Sequence, residues 1–183
     1  YISGDDHYLE FFIGRFSAES AEDVETQVQR TIAYENGNNL SDGWLNKAMG
    51  IASNEGPGDD NEFDYEHLRN LDADLIAFTY EEPSYEMFDG SQGGNDAAGN
   101  PTSSMVGDAI NSGVGIINYT GHGSDINWLT SGYSISNINT LTNNNQLPFI
   151  WSVACVNGNF VGQTCFAETW LRATNENNPT GAI

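Results

Sequence analysis

Three side chains that could act together chemically each stand shortly after a predicted buried strand: Glu55, His122 and Cys155. A thiol is mostly protonated at neutral pH, so a nearby imidazole must take its proton before the sulfur becomes a strong nucleophile. The imidazole in turn needs a carboxylate that fixes its tautomer and orientation. The three residue types therefore match a nucleophile (Cys155), a general base (His122) and an orienting acid (Glu55).

Two glycines flank His122 and would allow an oxyanion hole to form beside it. Gly121 and Gly123 leave the backbone accessible, so a substrate carbonyl can approach it closely. The N–H groups of Gly123 and Cys155 would then form an oxyanion hole. One cysteine and one histidine are a weak signal by themselves, because free cysteine is among the most buried residue types. A buried structural thiol with a turn histidine is therefore the alternative.

Hydrophobic patterning predicts the elements that must position these residues. Strands are predicted over 8–16, 48–52, 75–80, 114–119 and 147–154. Helices are predicted over 21–35, 65–71, 102–110 and 166–173, and a long loop over 82–101. Ser20 and Asp23 resemble a capping box at the start of the first helix. Strands that alternate with helices predict an α/β fold with a mostly parallel sheet and helices on both faces. Functional sites in such sheets lie beyond the carboxyl ends of the strands, where the three reactive residues are placed.

Composition limits the classes of partner. The chain has 183 residues, enough for one domain, with 26 Asp and Glu against 5 Lys and Arg and a formal net charge of −21. Nucleic acid is excluded as the main partner, because five basic residues cannot line a phosphate-binding groove. No apolar run approaches the roughly 20 residues that cross a bilayer, so we expect no membrane span. The acidity favours cationic partners, including Ca²⁺.

The cysteines and the chain ends give two further expectations. Cys155 and Cys165 are predicted to be free thiols, with a single bridge between them as the alternative. The chain opens without a signal peptide and stops at the start of a predicted strand. We therefore expect residues 1–183 to form one domain that is truncated at both ends.

Six segments of the sequence resemble the catalytic domain of gingipains, which are secreted cysteine endopeptidases. The segments are 13–20, 51–56, 118–124 (NYTGHGS), 145–150, 153–158 (VACVNG) and 165–168, and they follow the family order. The resemblance implies a caspase-like α/β/α sandwich. It also implies that Cys155 is the nucleophile, His122 the general base and Glu55 the orienting acid.

The resemblance also implies a specificity pocket. Arginine-specific gingipains have an Asp at the bottom of the primary pocket, in the segment that follows the orienting acid. That segment is two residues shorter here, and Asp64 is the best match, with Glu62 and Asp60 as rivals. A carboxylate suits this role because a guanidinium binds it through two parallel hydrogen bonds. Lysine specificity and a plain solvated acidic loop are the alternatives.

Structural calcium is a third implication of the resemblance. Residues 5–10 resemble a gingipain calcium loop, in which Asp6, the backbone carbonyl of Tyr8 and Glu10 would supply the oxygen ligands that Ca²⁺ prefers. An acidic turn without a metal is the alternative. No organic cofactor is expected.

The resemblance predicts a secreted or cell-surface endopeptidase that cleaves peptide or protein substrates after a basic residue, with Arg favoured over Lys. Two other functions compete with this prediction. One is a sortase-like peptidase of the same superfamily that processes C-terminal signals. The other is a non-catalytic, calcium-dependent adhesion module. Thiol reactivity separates a catalytic from a structural cysteine, because only an activated thiolate is alkylated quickly at mildly acid pH.

Overall fold

Four parallel strands form the central sheet in the computed structural model, which describes residues 14–37, 43–58, 61–81 and 84–183. The described residues contain eight strands in all: β1 (Ala48–Ala52), β2 (Tyr85–Phe88), β3 (Ile116–Thr120), β4 (Gly123–Ser124), β5 (Asn127–Trp128), β6 (Phe149–Val153), β7 (Thr174–Asn175) and β8 (Asn178–Pro179). The central sheet has the order β2-β1-β3-β6, while β4–β5 and β7–β8 are short antiparallel hairpins. The predicted mostly parallel sheet is confirmed.

Helices lie on both faces of this sheet. The helices are α1 (Ala21–Glu35), α2 (Asp64–Ala77), α3 (Ser103–Asn111), α4 (Ile135–Ile138) and α5 (Phe166–Arg172), and a 3₁₀ turn spans Trp44–Asn46. On one face, Leu68 of α2 packs with Ala52 and Phe88. On the other face, β1 and β3 pack against α3, α4 and α5 in the main core, which includes Ile51 and Ile117. The α/β/α sandwich is therefore confirmed.

The first helix begins as predicted and is then fixed by a buried arginine. Ser20 Oγ accepts the Asp23 N–H at 3.1 Å, and Asp23 Oδ2 accepts the Ser20 N–H at 2.9 Å, which completes the capping box. Farther along α1, Arg30 donates to the carbonyls of Trp170 at 2.9 Å and Ala173 at 2.8 Å. Burial lowers the pKa of Arg30 to about 10. This guanidinium ties α1 to the end of α5.

Two predictions between 75 and 101 are wrong. The segment 75–80 is not a strand, because α2 continues to Ala77. Leu68, Leu71 and Leu75 of α2 and its C-cap residue Phe78 follow helical spacing along one groove. The predicted loop over 82–101 contains β2, whose apolar pattern is interrupted by a charge that pairs with α2.

Several other predictions can be compared directly. The strands predicted over 48–52, 114–119 and 147–154 and the helices over 102–110 and 166–173 are confirmed within one to two residues at each end. The strand predicted over 8–16 lies mostly outside the described residues, and 14–16 are not in a strand. Cys155 and Cys165 are both free, as predicted. No helix in the described parts of the chain is long and apolar enough to cross a membrane.

Candidate active site

The register of the sheet brings the predicted reactive residues to one edge. The last residue of β1, Ala52, pairs with Thr120 of β3, and Thr120 pairs with Val153 of β6. All three strands are parallel, so their carboxyl ends lie side by side. Each of the three is followed within three residues by one of the side chains that the sequence singled out as reactive.

His122 and Glu55 form a direct hydrogen bond at this edge. The imidazole Nε2–H donates to Glu55 Oε1 at 2.7 Å, since a carboxylate can only accept. The hydrogen bond and the negative charge of Glu55 raise the pKa of His122, and Asp64 adds a smaller contribution in the same direction. Both side chains are open to solvent, 61% exposed for His122 and 64% for Glu55. The bond therefore orients the imidazole and leaves Nδ1 as the nitrogen that can serve a thiol.

The backbone of His122 is fixed from below by the core. The buried Tyr119 hydroxyl donates to the His122 carbonyl at 2.5 Å, and the Leu129 N–H donates to the same oxygen at 3.0 Å. The Tyr119 ring stacks on Trp128 with centroids 4.7 Å apart and planes 9° apart. Buried aromatic residues therefore hold the backbone from which the exposed imidazole projects.

Gly123 lies against the backbone that bears Cys155. A methyl group on Gly123 would stand 2.8 Å from Ala154 Cβ and 2.9 Å from the Cys155 carbonyl oxygen, so only glycine fits. This close approach places the two predicted oxyanion donors, the Gly123 and Cys155 amides, in neighbouring segments. The Cys155 amide donates to no acceptor among the residues that the structure describes, and its thiol is exposed.

The residue after Cys155 has a strained backbone. Val156 has φ +53°, a left-handed conformation that costs a β-branched residue about 1–3 kcal/mol. Such strain persists only where surrounding contacts enforce it. The sharp turn at Val156 therefore indicates that the conformation of the Cys155 loop is imposed by its neighbours.

Asp64 lies beside Glu55 through backbone and side-chain bonds. As the first residue of α2, it donates its N–H to the Glu55 carbonyl at 2.9 Å. The buried Ser53 hydroxyl donates to Asp64 Oδ2 and accepts the Glu55 N–H at 3.2 Å. Ser53 is a residue of this site that the sequence analysis missed; its position directly after β1 was the one available signal.

The two rivals of Asp64 are placed differently. Glu62 accepts from Asn70 Nδ2 at 2.7 Å and lies 3.4 Å from His67 Nδ1, so it pairs along α2. Asp60 lies outside the described residues. Among the described candidates, Asp64 is the carboxylate that is hydrogen-bonded next to Glu55.

An apolar groove of about 470 Å³ reaches the same edge of the sheet and was not predicted. It runs between α2 and the open face of β3 and β6, from Phe78 to Thr120 and Val153. Exposed apolar side chains, Trp151 among them, line its outer wall. The groove gives the site an apolar wall on its α2 side.

The structure does not test the predicted calcium ligands. Asp6, Tyr8 and Glu10 lie outside the described residues. Within the described ranges, no group of three or more His, Cys, Asp or Glu side chains could hold a metal ion. The calcium site stays a prediction.

Comparisons with known proteins agree with the fold described above. The profile of Peptidase family C25 matches residues 1–183. Gingipain R2 of Porphyromonas gingivalis is 44% identical over 185 residues, covering 100% of this chain and 24% of that protein. Lys-gingipain HG66 of the same species is 26% identical over 170 residues, covering 91% of this chain and 9% of that protein. The crystal structure of the Arg-specific cysteine proteinase gingipain R matches with a TM-score of 0.88 and 43% identity, covering 99% of this chain and 40% of that one. The chain thus spans less than half the length of these relatives.

Proposed function

The chain belongs to peptidase family C25, and from that premise we propose that it is part of a cysteine endopeptidase that cleaves after a basic residue. The observation that most supports this proposal is the 2.7 Å bond between His122 and Glu55 at the edge of the sheet where the Cys155 loop also begins. An imidazole oriented by a carboxylate, with an exposed thiol after the carboxyl end of the neighbouring strand, supplies the groups that nucleophilic catalysis by cysteine requires.

The proposed reaction proceeds through an acyl-enzyme. His122 takes the proton of the Cys155 thiol at Nδ1, and the thiolate attacks the scissile carbonyl carbon. The Gly123 and Cys155 amides stabilise the resulting oxyanion. When the tetrahedral intermediate collapses, the C–N bond breaks and His122 gives its proton to the leaving amine. Water, deprotonated by His122, then hydrolyses the thioester and restores the thiol.

Asp64 is the proposed partner of the basic side chain before the scissile bond. Ser53 occupies Asp64 Oδ2, so Oδ1 faces no described donor and is left for a substrate cation. The higher identity to gingipain R, 44% against 26% for Lys-gingipain, supports arginine over lysine. The sortase-like alternative is not favoured by these relatives.

The proposal is tested on the whole protein with fluorogenic peptides that present Arg, Lys, Asn or Ala before the scissile bond. We expect cleavage after Arg that disappears in the Cys155→Ala variant. Cleavage that prefers Lys would keep the mechanism and refute the assignment of arginine to Asp64. Failure to cleave any peptide, together with slow alkylation of Cys155, would refute the enzyme and favour the adhesion module.

Two parts of the proposal rest on the resemblance alone. Structural Ca²⁺ would be held by Asp6, the Tyr8 carbonyl and Glu10, whose oxygens suit that ion. Secretion or display at the cell surface would place the protease among extracellular peptides and proteins. A calcium titration followed by thermal unfolding tests the first part, since a bound ion must raise the melting temperature of the parent more than that of Asp6→Asn.

A further inference from the structure

We infer that Asn157 is a positioning residue whose side chain holds the Cys155 loop against the His122 loop. This inference rests on the proposed function, because it requires Cys155 to be the nucleophile. Asn157 touches no reacting atom in the proposed mechanism. It acts by fixing the distance between two segments whose relative position decides whether thiol and imidazole meet.

The side chain of Asn157 joins three elements. Its Nδ2 donates to the carbonyls of Ser124 at 2.5 Å and Asn127 at 3.1 Å, which belong to the hairpin directly after His122. Its Oδ1 accepts the Ser152 hydroxyl, on β6, at 2.9 Å. The residue is only 4% exposed, so each of these bonds is shielded from water.

The backbone of Asn157 is held as well. Its carbonyl accepts the Ala167 N–H, in the first turn of α5, at 3.0 Å. Between Cys155 and this anchor stands Val156, with its left-handed φ of +53°. The Asn157 bonds stand next to this turn and enforce it together with the Asn159 N–H, which donates to the Val156 carbonyl at 2.9 Å. Without the amide, the turn can relax and move Cys155, while His122 keeps its own bonds to Tyr119, Leu129 and Glu55.

A second buried asparagine provides a matched control. Asn143 is 1% exposed, its Nδ2 donates to the carbonyls of Gln146 and Gly181 at 2.9 Å each, and its Oδ1 accepts the Gly181 N–H at 3.0 Å. The two amides thus have the same chemistry and similar burial. Asn143, however, precedes β6 and lies at the end of that strand opposite to Cys155. Its loss costs stability without changing the Cys155 loop.

The experiment compares Asn157→Ala, Asn157→Asp and Asn143→Ala with the parent in the whole protein. Melting temperature, kcat and KM for an Arg peptide, and the rate of alkylation by iodoacetamide from pH 5 to 9 are measured. Alkylation of a Cys155→Ala variant is subtracted, so that the rate reports Cys155. We expect both alanine variants to lower the melting temperature by similar amounts, because each deletes a buried amide.

Variants at Asn157 and at Asn143 should differ in catalytic activity and in the alkylation of Cys155. In Asn157→Ala, kcat falls about tenfold to a hundredfold with KM within about threefold, and thiolate formation shifts to higher pH. Asn157→Asp, which retains the acceptor and points a carboxylate at two carbonyls, is at least as slow. Asn143→Ala keeps the kcat and the alkylation profile of the parent at temperatures where it is folded.

Each outcome supports or overturns the positioning role of Asn157. An Asn157→Ala variant with parental kcat and pH profile overturns the positioning role, and so do equal losses in the two alanine variants. If Asn157→Ala does not fold, Asn157→Ser, which keeps a polar side chain and places no charge beside the two carbonyls, gives the same comparison. If the parent itself neither cleaves peptides nor is alkylated at mildly acid pH, the proposed function fails and the inference falls with it. A reactive parent with an unaffected Asn157 variant refutes the inference alone.

Discussion

Two pairs of a carboxylate and a basic side chain lie in opposite surroundings in this molecule. His122 and Glu55 meet at 2.7 Å on the edge of the sheet, with more than half of each side chain exposed. Glu168 and Arg172 meet at 3.2 Å on α5, where the side chains are only 7% and 13% exposed. Glu168 also accepts from the Ser17 hydroxyl and from the Cys165 N–H at 3.0 Å.

This difference in exposure indicates that one pair orients a reactive side chain and that the other stabilises the fold. An exposed ion pair contributes little to folding, because solvent and salt screen it. A buried pair that is fully hydrogen-bonded is costly to break, since the remaining charge is left without a partner. We therefore expect the His122 pair to govern activity with little effect on stability, and the Glu168 pair to do the reverse.

The largest expected effect comes from His122→Ala. Loss of the general base should lower kcat roughly 10³-fold or more, while the melting temperature changes little because the imidazole is exposed. Peptide cleavage and thermal unfolding of the same preparation check both halves. The matched control is His67→Ala, whose imidazole lies 3.4 Å from Glu62 in another partly exposed pair and should alter kcat by less than about threefold. Similar losses of kcat in both variants would contradict the distinction.

Glu168→Ala should show the opposite pattern. It removes the buried acceptor of the Ser17 hydroxyl and of the Cys165 N–H, while Arg172 keeps Glu19 at 3.1 Å and Ser17 Oγ at 3.0 Å. We therefore expect a loss of about 2 kcal/mol in the free energy of unfolding. The kcat of the folded fraction should stay near the parental value. Urea unfolding combined with activity at low temperature measures both quantities. A variant that is as stable as the parent would show that the buried pair contributes no net stability.

The same carboxylate makes stability depend on pH. Burial by itself raises the pKa of Glu168, but the hydrogen bonds from Ser17 and Cys165 and the charge of Arg172 outweigh burial and lower it. A carboxyl whose pKa is lower when folded stabilises the protein above its unfolded pKa of about 4.3, and this contribution is lost as the pH falls through the folded pKa. The difference in unfolding free energy between the parent and Glu168→Gln should therefore shrink below about pH 4. A constant difference from pH 6 to pH 3 would rule out this linkage.

Glu55→Gln tests the exposed pair by removing the charge of Glu55 while the His122 imidazole stays in place. Removal of the charge should lower the pKa of His122, because Glu55 raises it through a hydrogen bond and through its charge. We expect kcat to fall roughly 10- to 100-fold without a measurable change in melting temperature. An NMR titration of the His122 ring checks the pKa. Glu62→Gln, beside His67, is the matched control and should leave the His122 titration unchanged.

The strands whose apolar runs contain no charged residue, and the reactive residues that follow them, could be placed from the sequence. β3 and β6 contain one polar residue each, Asn118 and Ser152, but no charge, so the positions after them at His122 and Cys155 could be predicted. β2 was missed because Glu86 interrupts its pattern, and its partner Arg69, 2.7 Å away, is brought near only by the packing of α2. Residues such as Ser53 and Asn157 resemble many other small polar residues in this chain. Their roles depend on contacts between segments that sequence periodicity does not encode.

Ser53 provides the finest test of the comparison, because it is buried yet belongs to the exposed site. Its hydroxyl joins Asp64 Oδ2 to the Glu55 N–H, so Ser53→Ala loosens the proposed pocket carboxylate and the orienting acid together. We expect a loss of about 1 kcal/mol in unfolding free energy and a rise of about threefold to tenfold in KM for an Arg peptide. Steady-state kinetics and urea unfolding of one preparation measure the two effects.

Ser84→Ala is the control for Ser53→Ala, because the Ser84 hydroxyl donates to Asp72 Oδ2 at 2.6 Å in a comparably buried setting next to β2. It should lose about the same stability, roughly 1 kcal/mol, and keep the parental KM. If both variants raise KM equally, the change follows lost stability and Ser53 has no role in the pocket. If only Ser53→Ala raises KM, Ser53 contributes both to stability and to substrate binding. The rule that buried groups govern stability and exposed groups govern activity then does not extend to a buried residue that joins Asp64 to Glu55.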